Sequence, residues 1–277
     1  MKVLVDWQKC LMGRDFLPLD MVSKYGTSIL DQIIENLPQN IRSDDLLCLR
    51  ISSRARRLIF KSSLMTGVEI VIPNGASRNW VIEVVKKRIQ WIRESQASIR
   101  KRRTELNPKE INLKSIEENW QIFQFTSDNL RNGFSIIGEY KLLIGFDSED
   151  FFSVARNLQS WLNQKAEDFL IPWVDSLAEQ RNLQFNRVNI KNQKTRWGSC
   201  SEKGNINLNR NLLLLPKHIV EYVIHHELTH LQHLDHSEEF WTTLTNALPE
   251  CGKFRNELKS INEFDIPAWA CLRTNQI

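Results

Sequence analysis

The chain has 277 residues, 42% of them apolar and 25% charged, with a formal net charge of +4, the composition of an ordinary soluble globular protein of one large or two modest domains. No apolar run approaches the roughly 20 residues of a membrane span, and the start Met1-Lys2-Val3-Leu4-Val5-Asp6 is broken by charge too early for a secretory signal. Five cysteines, at 10, 48, 200, 251 and 271, are odd in number and never spaced C-x-x-C, which argues against a disulfide scaffold and for reduced thiols in a cytoplasm.

In chain order, Leu46–Ile51, Arg57–Ser63 and Val68–Ile72 read as strands, rich in β-branched or alternating residues, and Pro73-Asn74-Gly75 ends that unit. Ser77 is placed to cap one long helix through Arg103, with Val81, Val84 or Val85, Ile89 and Ile92 on its apolar stripe. Leu106 to Glu118 is polar, contains Asn107-Pro108, and reads as a linker. Trp120–Phe125, Phe134–Ile137 and Lys141–Phe146 are further strands. Asp150 to Asn182 is helical, with Pro172 expected to kink or split it. Arg187–Lys191, Thr195–Ser199 and Asn205–Leu208 are the next strands, the last two joined by a turn at Glu202-Lys203-Gly204. Helices follow over Pro216 to Leu234, Ser237 to about Leu248, and Cys251 to Ile261. The fold class is α+β. The expected division is an N-terminal extension of unknown role (1–45), a β-rich domain with a long basic helix (46–148), and a helix–sheet–helix domain (149–277).

All six histidines lie between His218 and His236, and His226-Glu227-Leu228-Thr229-His230 is an H-E-x-x-H pattern. Imidazoles four residues apart on a helix are offset by roughly 40° and about 6 Å, so both reach one ion. Glu227 lies on the same side and can hold a water at the metal without ligating it. His233 faces the same way as His226 but lies about 10 Å further along the axis, too far to converge while the helix stays straight. His236 converges if the chain turns near Leu234-Asp235. Glu238 and Glu239 compete with it as third ligand. Three imidazoles leave the fourth position of a tetrahedral zinc open, the arrangement of a catalytic site. A closed structural site would need Cys200 as a fourth ligand. Asp235 either orients an imidazole or serves the turn, and Tyr222 either stabilises an oxyanion or simply packs.

The stretch Lys194-Thr195-Arg196-Trp197-Gly198-Ser199-Cys200-Ser201, then Gly204-Asn205-Ile206-Asn207-Leu208-Asn209, then His226–His230 and His236-Ser237 with Phe240-Trp241, closely resembles the YgjP-like zinc metallopeptidases, often labelled SprT-like. The likeness is continuous from about Leu46 to Trp269, and it includes Arg54-Ala55-Arg56-Arg57, Pro73-Asn74-Gly75-Ala76 and Trp91-Ile92. It implies a zincin-like catalytic domain and one Zn²⁺ per chain on His226, His230 and His236. It further implies Glu227-assisted attack of a zinc-bound water on a peptide or protein substrate. Metzincins share the spacing to the third histidine but carry Gly where this chain has His233. They also need a downstream Met-turn, and no Met follows Met65.

Arg196, Trp197 and Ser199 are the candidate substrate-binding residues, since the strand Thr195–Ser199 is placed to pair with an extended peptide. Arg196 and Trp197 equally suit clamping the fold. Between Arg50 and Arg103, fourteen Lys or Arg face three acids, so this stretch carries +11 and the remainder −7. Such a segment attracts nucleic acid, or is a solvated helix face. Two further readings stay open: a zinc-dependent nucleotide pyrophosphohydrolase, which the lack of a Gly-rich phosphate loop disfavours, and a nucleic-acid-associated SprT-like protease.

Overall fold

The computed structural model describes residue 35 and residues 46–126, 133–148, 150, 152–262 and 264–272. The extension read over 1–45 lies, apart from residue 35, outside the described residues. The described residues are α+β and form two compact units that divide between Glu105 and Leu106.

In the first unit, β1 (Leu47–Ser52) runs parallel to β3 (Gly67–Pro73), and β2 (Ile59–Ser63) pairs antiparallel on the other side of β3. The central strand is buried along nearly its whole length, which is why it reads as an unbroken apolar run around one acid. That acid, Glu69, is buried but accepts from Arg50 Nε at 2.7 Å and pairs with Lys61 at 3.6 Å, so its charge is compensated. The expected single long helix is two helices, α1 (Arg78–Lys87) and α2 (Ile89–Thr104), separated at Arg88. Ser77 caps α1 as expected, its hydroxyl accepting from Trp80 N. Lys86 and Lys87 lie at its carboxyl end, where cations complement the helix dipole. Val81, Ile82, Val85, Ile92 and Ile99 join Leu47, Leu49, Val68, Ile70 and Ile72 in one core. Much of the positive charge of 50–103 stays outside it: Arg54, Arg56, Arg57, Arg78, Lys86, Lys87, Arg88 and Arg93 are exposed.

In the second unit, a four-stranded sheet has the order β4-β5-β7-β6: β4 (Glu110–Leu113), β5 (Glu118–Thr126), β6 (Phe134–Gly138) and β7 (Lys141–Phe146). Strand β4 occupies the stretch read as a linker. Its alternation is short, but Ile111 and Leu113 both point inward and are buried. The sequence division at 148/149 puts this sheet with the N-terminal part, whereas the compact units divide between Glu105 and Leu106. Hydrogen bonds tie the sheet to the rest of the second unit: Asn157 Nδ2 donates to Gly145 O at 2.7 Å, and Ser115 N donates to Leu213 O at 3.3 Å. Lys165 pairs with Glu118 at 2.8 Å and lies over the Trp120 ring.

Helix α3 (Ser153–Gln180) is the spine of this unit. Leu158, Trp161, Leu162, Ala166, Leu170 and Val174 recur at helical spacing and are buried. Pro172 lies inside α3 without splitting it, on an exposed position where the lost amide donor is least costly. A second sheet has the order β8-β10-β9: β8 (Arg187–Lys191) parallel to β10 (Asn205–Asn209), and β9 (Gly198–Cys200) antiparallel to it at the edge. The expected strand over Thr195–Ser199 is irregular up to Trp197. The β9–β10 turn needs a left-handed residue, and Gly204 supplies it at φ 68°. Helices α4 (Lys217–Thr229), α5 (Glu238–Ala247), α6 (Cys251–Ser260) and α7 (Ala268–Cys271) complete the unit, with α4 packed on α3, β9, α5 and α6.

Candidate metal centre

His226 to Thr229 form the last turn of α4 and His230 is its C-cap, so the helix ends five residues before the Leu234 expected from sequence. Helix bonding gives way at once: Leu231 N and Gln232 N donate back to Leu228 O and Thr229 O, closing a tight turn. Early termination brings His236 back over the helix end. Asp235 serves the turn, its Oδ1 accepting from Ser237 N at 3.1 Å. Ser237 then caps α5 by accepting from Phe240 N.

His226, His230 and His236 offer ligand nitrogens that all lie within 4.8 Å of one another. Zn–N bonds of about 2.0–2.1 Å in a tetrahedral site place donors about 3.3 Å apart, within that span. Two further observations fit a divalent ion. The Nε2 atoms of His226 and His236 face each other at 3.1 Å. Nδ1 of His230 lies 3.0 Å from the His233 carbonyl, which fixes the proton there and leaves Nε2 bare. Burial, then the neighbouring His230, His236 and Arg255 charges, push the His226 imidazole down to about 3, so it stays neutral as a ligand must be. Burial and the neighbouring His230 and Arg255 charges also hold His236 below its ordinary value.

The motif His236-Ser237 with Phe240-Trp241 acquires a physical meaning here. The buried Phe240 ring lies 4.9, 4.7 and 4.8 Å from the rings of His226, His230 and His236, a common apolar support under all three. Trp241 stacks on His236 at 5.7 Å, and its Nε1 donates to the His236 carbonyl at 3.1 Å. Because Ser237 holds the start of this helix, Ser237→Ala is expected to cost about 1 kcal/mol of stability. Urea unfolding of the metal-free protein measures it, and an unchanged midpoint would mean the cap contributes nothing.

Glu227 is 5% exposed, and its Oε2 is buried with no partner among the described residues. Burial pushes its carboxyl up to about 8, opposed by the Arg196 guanidinium. A divalent ion nearby acts in the same sense as Arg196, favouring the carboxylate.

The remaining candidates separate clearly. Glu238 and Glu239 stand in the first turn of α5 and lie outside the three-histidine group. His233 places Nε2 3.1 Å from Thr243 Oγ1 and contributes only its carbonyl to the centre. Cys200 is also outside the group. Burial, then the Glu227 charge, push its thiol up to about 11. Tyr222 packs beside His226, ring centroids 5.9 Å apart, and burial pushes its hydroxyl up to about 12. Arg196 is exposed. Trp197 is half-buried, and its carbonyl accepts from Asn209 N at 2.8 Å. The Ser199 hydroxyl accepts from Asn207 Nδ2 at 3.1 Å, which ties it to its own sheet.

Two residues near the centre carry no sequence signal. Arg181, at the end of α3, donates to the His225 carbonyl at 3.1 Å and to Thr229 Oγ1 at 3.1 Å, bracing α4 from behind. Arg255 on α6 stacks over Trp241 at 4.2 Å, and its charge acts on His226, His236 and Tyr222. Neither lies in a spaced motif, so only the packing of α3 and α6 against α4 and α5 reveals them.

A family model described as YgjP-like, metallopeptidase domain, matches residues 56–261. Among solved structures, the metallopeptidase zymogen of Pyrococcus abyssi abylysin is 25% identical over 31% of this chain and 89% of its own, with a TM-score of 0.29. The metallopeptidase zymogen of Methanocaldococcus jannaschii jannalysin is 22% identical over 31% of this chain and 89% of its own, with a TM-score of 0.28. No curated protein matches the chain.

Proposed function

This chain belongs to the YgjP-like metallopeptidase family, and from that premise we propose that it hydrolyses peptide bonds with Zn²⁺ held by His226, His230 and His236 and with Glu227 as the general base. The observation that supports this most is the convergence of three imidazole donors within 4.8 Å beside a buried carboxylate oxygen that has no partner among the described residues. When bound, zinc supplies Lewis acidity to a scissile carbonyl and brings the pKa of a coordinated water towards about 7.

The chain's own residues do the rest. Glu227 accepts a proton from the attacking water and returns it to the leaving nitrogen. His233 holds the His230 tautomer through its carbonyl, and Phe240 and Trp241 fix the ring planes. Strand β9, unpaired on one side among the described residues, offers backbone groups to an extended substrate. Arg196, just before it in the chain and exposed, is the side chain we assign to meet a substrate carbonyl or carboxylate.

Stripping the metal with 1,10-phenanthroline is expected to abolish cleavage of an unfolded protein such as reduced casein, and stoichiometric zinc to restore it. Nucleoside triphosphates assayed beside it are expected to survive. Chelator-resistant proteolysis would remove the metal from the reaction. Triphosphate hydrolysis without peptide cleavage would favour the pyrophosphohydrolase alternative.

No helix among the described residues is long and apolar enough to cross a membrane.

A further inference from the structure

Gly198, the first residue of β9, stands directly against the Glu227 side chain. A Cβ built on it would lie 2.5 Å from Glu227 Oε1, 2.7 Å from Cγ and 2.8 Å from Cδ. Its backbone is not in the left-handed region that favours glycine, as Gly67, Gly75 and Gly204 are. Conformation therefore does not require glycine at this position. Space does.

The backbone side of the contact is held. Gly198 is paired with Leu208 in the β9–β10 ladder. The segment leading into it is fastened by Asn209, which is 3% exposed. Its amide nitrogen Nδ2 donates to Gln193 O at 2.8 Å and to Arg196 O at 3.1 Å, and its backbone N–H donates to Trp197 O at 2.8 Å. On the other side, Glu227 sits in α4 and is 5% exposed. Its Oε2 has no hydrogen-bond partner among the described residues. Hydrogen bonds to that oxygen therefore do not aim the carboxyl.

We infer that Gly198, held in place by Asn209, is a positioning residue: its bare Cα is the stop that sets where the Glu227 carboxyl stands relative to the three histidines. This rests on the reading of Glu227 as the base. An added methyl must push the carboxyl aside, and misplacing a reacting group by about 1 Å costs on the order of a hundredfold in rate.

The test pairs Gly198→Ala with Glu227→Ala, which removes the three atoms a new methyl would meet. Gly198→Ala alone is expected to lower kcat by about a hundredfold with KM and zinc stoichiometry unchanged. Its thermal midpoint is expected to fall in the otherwise wild-type chain and to fall much less in the Glu227→Ala background, with or without zinc. An equal fall in both backgrounds, or failure to fold in both, would mean that the strand itself needs glycine, and overturns the inference. So would an undiminished kcat, or a rise in KM alone. If Gly198→Ala folds only in the Glu227→Ala background, that supports it. Full activity in Glu227→Gln would remove Glu227 as the base yet leave the thermal comparison to decide the contact, so the two claims fail separately.

Discussion

Glu227→Gln is expected to reduce peptide hydrolysis by about 10²–10⁴-fold, the usual contribution of a positioned proton acceptor, while zinc binding stays at one per chain. The amide has nearly the shape of the carboxyl and so keeps its place against Gly198. What it lacks is the basicity of a carboxylate, so it cannot take the proton. Metal content by atomic absorption and turnover of a quenched peptide are the two measurements. Full turnover would dismiss Glu227 as the base, and lost zinc would make it a ligand instead. The same variant carries a stability signature in metal-free protein. Burial raises the folded carboxyl from 4.5 to about 8. Between those values the unfolded chain has released a proton that the folded one retains, so rising pH costs the fold stability. The amide removes that contribution. Burial also lowers His225, His226 and His236, which adds stability as pH rises to their ordinary 6.5, so the Glu227 effect is read above that value: between about 6.5 and 8 the metal-free parent is expected to lose unfolding midpoint relative to metal-free Glu227→Gln.

His230→Ala is expected to lose zinc affinity by well over the 10–100-fold typical of residues that only support a ligand, and activity with it. His230 is one of three convergent donors, and its ring is already aimed by the His233 carbonyl. His225→Ala supplies the contrast. His225 is buried behind the helix, its carbonyl accepting from Arg181 and Thr229. A backbone carbonyl survives the substitution, so zinc should be retained. Competition against a chromogenic chelator measures both. Equal losses would mean that the helix, rather than the identity of the ligand, governs binding, and retained affinity in His230→Ala would break the three-histidine reading.

Most strands are legible in the sequence because alternation and β-branching are local. The strands read over Phe134–Ile137 and Lys141–Phe146 appear at Phe134–Gly138 and Lys141–Phe146. The misreadings have a common cause. Apolar spacing carries α4 on to Leu234, yet the turn at His230 is closed by contacts to His233 and by the returning chain. The break at Arg88 carries no Gly or Pro. Strand β4 is four residues long, and its two inward residues have meaning only against the sheet beside them.

From sequence alone the chain's α+β character, its family likeness and the four residues on which its chemistry is proposed to rest could be read. All of these rest on short-range regularity: 3.6 residues per turn puts His226 and His230 on one stripe, and capping chemistry at Ser237 marks where the next helix begins. Only the tertiary structure decided that the sheet of 110–146 belongs with the metal-centre unit, that Phe240 lies beneath three imidazoles, that Arg181 braces α4, and that Gly198 abuts Glu227. Those are approaches between residues far apart in the chain, set by how the elements pack, and no local pattern of residues encodes the distance between two packed backbones.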